Sequence, residues 1–305
     1  MKWIKGIGLF LIANILIYLT LSITANILIN IILPMFGIDV RGVFNQQLLV
    51  WALVIGFGGA FISLAFSKQM ARAMLADCQQ ITHPRSHAEQ VIYGSVQEIA
   101  QRLHIRMPEV WVYESPDPNA FATGPSKNNA MVAVSTGLLQ NLREQEVKGV
   151  LAHEMGHVFN GDMFTTTVLA GLMNTFVYYI SHFVYQILAQ PSQDREEGSA
   201  GNPLLAMVVF IFLQVILTIL ASLVINWHSR HREYAADAFS AKVYGKSSMI
   251  SALRGIDRWV KSTEQEYATQ DALATMKIAG RSSGLWHLFA THPPIEDRIA
   301  TLERL

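Results

Sequence analysis

The stretch "VLAHEMGHVFNGD", from Val150 to Asp162, decides how the chain is read. Two histidines four residues apart, His153 and His157, enclose Glu154, and the sequence then runs on into an apolar segment. Val147, Val150, Leu151 and Val158 recur at helical spacing, and Asn141, three before Glu144, resembles the start of a capping box. On a helix, residues four apart share a face, so the two imidazoles can converge on one tetrahedral ion while Glu154 projects beside a bound water. This is the H-E-x-x-H arrangement: the ion acidifies the water, and the carboxylate accepts its proton as it attacks a carbonyl.

Two histidines do not complete such a site. A metzincin would place a third histidine at Met163 and a glycine at Asn160, so that pattern is excluded. Asp162 is near in sequence, but continuation of the same helix would carry it past the ion. His228 and His231, in "WHSRH", read as interfacial or structural residues at a membrane boundary. The preferred third ligand is Glu233. In "EYAAD" it stands one helical turn before Asp237, so one carboxylate can bind the ion while the other accepts a ring N–H from a ligand histidine. Without the earlier motif, the same pair would read as a solvated charged face.

Outside the motif, composition points to a membrane. Hydrophobic residues make up 51% of the 305-residue chain and charged residues 15%, too apolar for a purely soluble protein. The 23 basic and 23 acidic side chains balance, which gives no argument for a polyanionic partner, and no nucleic-acid module or nucleotide-binding P-loop is present. Cys78 is the only cysteine, so any metal must be held by His, Asp or Glu. Four apolar runs are expected to span: Ile7 to Leu33, ending at Pro34; Gln47 to Phe66; Met163 to Leu188; and Pro203 to Trp227. The first is too long for a cleaved signal segment and is read as retained. Gly56, Gly58 and Gly59 in the second suggest close helix packing. The polar connection "QPSQDREEGSAGN" makes the last two a hairpin. His182, the ionisable residue well inside a span, is expected at an interface or paired with a neighbouring helix. Lys2 and Lys5 before the first span, Lys68, Arg72 and Arg85 after the second, and Arg230 and Arg232 after the fourth put both termini and the polar segments in the cytoplasm.

The polar part between the second and third spans mixes two periodicities. "VIYGSVQEIAQRLHI" predicts an amphipathic helix through Val91, Val96, Ile99 and Leu103. Val110 and Val112 alternate with Trp111 and Tyr113, and "AMVAVS" follows as a second strand, which together predict a small sheet beside helices. "SRHREYAADAFSAKVYG" is helical and stops at Gly245, with mostly helical sequence to Leu305.

Taken with "PNAFATG", "VAVSTGLL", "REYAADAFSA" and "THPPIEDRI", the motif makes the chain resemble the membrane-bound zinc metalloproteases called HtpX, relatives of the CAAX prenyl proteases in the gluzincin group. The resemblance implies one zinc ion held by His153, His157 and Glu233, with Glu154 as general base and a zincin-like catalytic domain. It also implies quality control of misfolded membrane proteins during envelope stress, in the bacterial inner membrane. The expected fold is mainly α: four transmembrane helices and an α+β catalytic domain with a small sheet. Residues 1–66 form the first two spans, 67–162 the first catalytic part, 163–227 the hairpin and 228–305 the second catalytic part. Asp237 is expected behind a ligand histidine. Asn119 and Phe121 lie in a segment that is either a sheet edge able to receive an extended substrate or a buried turn and strand. His292 and Arg298 are candidates to stabilise an oxyanion, although Arg298 reads better as a brace on an acidic neighbour. Two rivals stay open: a prenyl-peptide processing protease, and a membrane scaffold that holds zinc without hydrolysis. The stretch from Lys261 to Leu288 carries no motif.

Overall fold

The computed structural model describes residues 46–75, 77–189, 202–267 and 290–305, with isolated positions between 23 and 35. Most of the first expected span and most of the motif-free stretch therefore lie outside the described residues. In chain order the elements are α1 (Gln46–Ala65), α2 (Ser67–Met74), β1 (Gln79–Gln80), α3 (His87–Arg102), β2 (Glu109–Tyr113), β3 (Ala120–Ser126), β4 (Asn129–Ser135), α4 (Thr136–Asn141), α5 (Glu144–Asn160), α6 (Asp162–Ala189), α7 (Pro203–Tyr244), α8 (Lys246–Tyr267) and α9 (Ile295–Arg304). The chain is mainly helical with one small mixed sheet. Among the described residues three helices, α1, α6 and α7, are long and apolar enough to cross a bilayer, against the four spans expected.

Two compact units divide the chain. The first joins residues 1–61 to 168–222. Within it α1 and α6 approach closely, because a Cβ at Gly56 would stand 2.6 Å from the Thr175 backbone nitrogen. Gly58 and Gly59 meet nothing, so one glycine of the three serves the contact. Gly171 does the same on the opposite helix, facing the Phe57 ring. Thr175 satisfies its hydroxyl inside its own helix by donating to the Gly171 carbonyl at 2.8 Å. His182 packs against Tyr178 and against Phe210 of α7, with ring centroids 4.3 and 4.9 Å apart.

The second unit joins residues 62–167 to 223–305 and carries the sheet, in the order β1-β2-β4-β3. β2 and β4 are parallel, Val110 opposite Val132 and Val112 opposite Val134. Period-2 alternation gives this sheet two buried faces. Val110, Val132 and Val134 join Ile92, Val96 and Ile99 of α3 and Leu151 and Met155 of α5 in the main core. Tyr113, Met131 and Ala133 face the other way, toward Ala71 and Leu75 at α2. The segment left open between edge and turn is a strand: β3 pairs antiparallel with β4 and has no strand on its other side among the described residues. Gly124 sits at the irregularity in that pairing with φ of 145°, where a Cβ would stand 2.3 Å from the Asn129 carbonyl oxygen.

The basic residues flanking the spans have a second task. Lys68 and Arg72 both bind Glu109 of β2, and the Arg72 guanidinium lies 4.9 Å over the Trp111 ring, so α2 is fastened to the sheet. α7 runs unbroken for 42 residues, roughly 60 Å of helix, from the apolar "PLLAMVV" start to the "EYAAD" segment. Its apolar and polar halves, expected as successive elements, are one helix.

Candidate metal centre

The site starts from how α5 begins and ends. Its N-cap is Arg143, whose backbone N–H donates to Glu146 at 2.8 Å; the acid at the third position supports the helix dipole. Asn141 instead closes α4 by donating to the Gly137 carbonyl, which corrects its expected capping role: Leu142 is extended and separates the two helices. At the other end Gly161 adopts φ of 73° and its N–H bonds the His157 carbonyl, a left-handed stop that ends α5. The helix therefore does not continue through Asp162 as expected. Asp162 opens α6, with its carboxylate at His157.

Two further glycines bring the helices together. A Cβ at Gly156 would stand 3.3 Å from the Ala236 Cα of α7, and one at Gly149 would stand 3.0 Å from the Ser248 carbonyl. Buried Ser240 fixes the α5–α7 approach by donating to the Gly149 carbonyl at 2.7 Å. This closeness brings Glu233 to the histidines across a long sequence separation.

His153, His157 and Glu233 form a group whose ligand atoms all lie within 4.8 Å of one another. The two Nε2 atoms are 3.2 Å apart, and Glu233 stands 3.5 Å from His153 Nε2 and 3.3 Å from His157 Nε2. Each ring is held from behind: His153 Nδ1 lies 2.9 Å from Asp237, and His157 Nδ1 lies 2.7 Å from Asp162. Such partners fix each Nδ1 as the N–H and leave Nε2 as the lone pair. Two lone pairs and a carboxylate then face one another, an arrangement that a cation relieves. Glu233 Oε2 adds to this: it is buried and has no aligned hydrogen-bond donor among the described residues. The residues fit a metal ion.

The electrostatics agree with an anionic cluster looking for positive charge. Burial pushes the His157 imidazole down, but Asp162 and Glu233 outweigh it and lift it to about 10. His153 is raised for the same reason, by Asp237 and Glu233 against burial. Glu154, half-buried beside the pair on α5, is pushed up by burial and by Glu233, while His153 and His157 oppose the shift.

Arg298 of α9 is buried, its Nε and Nη2 donating to Asp237 at 2.8 and 2.7 Å and its Nη1 lying 3.2 Å from Glu233. Burial pushes the Asp237 carboxyl up, yet Arg298 and His153 hold it down at about 2. Two of its nitrogens are thus taken by Asp237, the brace on an acidic neighbour that the sequence favours for it. Arg298→Met is expected to leave both acids buried without their cation and to destabilise the fold by about 3–5 kcal/mol, read as a lowered thermal unfolding midpoint in detergent. An unchanged midpoint would show that the brace is dispensable.

The other sequence candidates are dispersed around this centre. His292 Nδ1 lies 2.8 Å from Glu233 Oε2, and its side chain is 39% exposed. Asn119 donates its backbone N–H to Ser135 Oγ, and Phe121 of β3 packs near Tyr113. His231 accepts no place in the group; its Nδ1 lies 2.9 Å from the Trp227 carbonyl, and His228 is likewise outside it. Sequence reasoning missed Asp162 as the support of His157 and Arg232 as the partner of Asp162 at 2.6 Å. The signal was Gly161, a helix-ending residue just before an acid.

A sequence profile described as peptidase family M48 matches residues 86–305. The chain is 42% identical over 307 residues to the "Protease HtpX homolog" of Methylacidiphilum infernorum, with 99% of each chain covered. It is 42% identical over 301 residues to "Protease HtpX" of Actinobacillus pleuropneumoniae, again with 99% of each covered. A likeness in fold extends to the solved structure of Ste24p from S. mikatae, with a TM-score of 0.56 at 18% identity. That alignment covers 98% of this chain and 65% of the other, so the chain spans about two thirds of that neighbour's length.

Proposed function

The chain belongs to peptidase family M48 and is a membrane protease, and from that premise we propose that it is a zinc endopeptidase acting on misfolded or damaged membrane proteins. The observation that carries the metal assignment is the convergence of both Nε2 atoms on Glu233, with Asp237 and Asp162 orienting the rings from behind. His153, His157 and Glu233 hold the ion in this reading, a donor set of two imidazoles and one carboxylate that suits zinc with an open position for water or substrate.

When bound, the ion supplies acidity to a water and polarisation to the scissile carbonyl. Glu154 takes the proton released in the attack and passes it to the leaving amine; its raised affinity for a proton, caused by burial, suits both halves of that task. Beside the metal-bearing helix β3 has, among the described residues, no strand on its outer side, and an extended substrate adds there as a further antiparallel strand by backbone hydrogen bonds. His292 is the more exposed of the two oxyanion candidates, whereas Arg298 is buried with two of its nitrogens on Asp237.

We assign the polar segments 67–162 and 228–305 to the cytoplasmic face of a bacterial inner membrane, with 1–66 and 163–227 in the bilayer. The envelope-stress role follows from the resemblance of the chain, and the substrate class follows from a proteolytic site tied to spans. The test is cleavage of an unfolded protein by the purified chain in detergent. Chelator treatment is expected to abolish cleavage and one equivalent of zinc to restore it. Cleavage that persists at full rate after the metal is removed would refute the assignment. Cleavage confined to a prenylated peptide would favour the processing rival.

A further inference from the structure

Beside the metal group, the second unit contains a cleft of about 350 Å³ that reaches from His157 and Asp162 to Ala122 and Thr123 of β3. It is walled elsewhere by the end of α1, the first turns of α6 and the polar half of α7. Hydroxyls are its distinguishing chemistry. Ser67 and Thr167 spend theirs on carbonyls of their own or the preceding helix, but Ser63, Thr123, Thr166 and Ser229 make no side-chain hydrogen bond among the described residues. Four hydroxyls with donor and acceptor capacity to spare line one cleft next to the strand edge.

The charges in the cleft cancel. Asp162 accepts from Arg232 at 2.6 Å through one oxygen and engages His157 Nδ1 at 2.7 Å through the other. A carboxylate entering the cleft competes with Asp162 for Arg232 and so opens the pair that backs His157. An ammonium competes with Arg232 and His157 for Asp162, and so disturbs the support of a metal-group histidine. A neutral side chain that gives and takes hydrogen bonds leaves that pair intact and can both donate to and accept from the hydroxyls.

We propose that this cleft is a substrate side-chain subsite that selects uncharged hydrogen-bonding residues, Asn, Gln, Ser and Thr, at one fixed position relative to the cleaved bond. The proposal rests on the endopeptidase reading above. Substrate laid along β3 passes Ala122 and Thr123, so a side chain directed toward α6 enters between Thr166 and Ser229.

The test uses the full-length chain loaded with zinc and a denatured, alkylated soluble protein of known sequence, the fragments being identified by mass spectrometry. Wild type is expected to favour bonds with Asn, Gln, Ser or Thr at one position and to disfavour Asp, Glu, Lys and Arg there. In Thr166→Val/Ser229→Ala, which preserves size, kcat/KM at the favoured bonds is expected to fall by about five- to tenfold, the effect of one or two neutral hydrogen bonds. Bonds with apolar residues at that position are expected to hold their rates. A peptide spanning the best bond, titrated against Glu154→Gln with and without the two substitutions, is expected to show the same ratio in Kd without turnover. If the double variant fails to fold, Thr123→Val carries the same comparison. Unchanged profiles and Kd values in a wild type that cleaves, or a preference for charged residues, overturn the subsite alone. Failure of zinc-loaded wild type to cleave overturns the endopeptidase reading and the subsite with it.

Discussion

Glu154→Gln is expected to keep the metal and lose turnover by about 10²- to 10⁴-fold, the contribution of a positioned general acid–base group. The two roles separate because Glu154 is outside the group formed by His153, His157 and Glu233, whose atoms converge without it. Glutamine keeps the size of the side chain on a helix whose face is packed into the core, so α5 has no reason to move. What it loses is the ability to take a proton from water. The measurement is zinc content by elemental analysis together with the cleavage rate of an unfolded protein. Full turnover with zinc retained would remove Glu154 from the mechanism, and loss of zinc would make it a ligand.

Glu233→Ala is expected to lose metal affinity by far more than the 10- to 100-fold that follows removal of an outer partner of a ligand. Glu233 is 3% exposed and is approached by His153, His157, His292 and Arg298, so its carboxylate is held against both imidazoles. Alanine leaves two imidazoles with no carboxylate facing their Nε2 atoms from α7, since Asp237 and Asp162 stand at the Nδ1 side of the rings. Competition against a chelator of known affinity reads the change, with Glu154→Gln as the metal-retaining control. Stoichiometric zinc in Glu233→Ala at the wild-type affinity would place the third ligand elsewhere.

Much of the site could be read from spacing. His153, Glu154 and His157 are close in sequence, so helical geometry alone puts them together. Glu233 and Asp237 were legible as a pair for the same reason, and Asp237 lies behind His153 as a residue one turn from a metal-group acid can. Asp162 was not legible as a support, because its place depends on the left-handed break at Gly161 rather than on a continuing helix. The commitment of Arg298 to Asp237 also required the fold. An arginine in a "PIEDRI" helix has solvated readings of equal merit until that helix is inserted beside α7.

The sequence by itself determined the elements whose information is local: the apolar runs, the helix around the motif, the alternation of Val110 and Val112 against Trp111 and Tyr113, and the stop at Gly245. Tertiary structure decided what depends on close approach. Only Gly56 among three glycines meets a neighbouring helix, and Gly149 and Gly156 admit α8 and α7 to within contact of α5. Lys68 and Arg72, which as sequence were topological charges, are turned inward to Glu109. β3 is an edge strand because, among the described residues, only β4 pairs with it. Local periodicity states which face of an element is apolar, but it carries no term for the neighbour that face will meet, and it is the neighbour that turns a carboxylate into a ligand, a support or a surface charge.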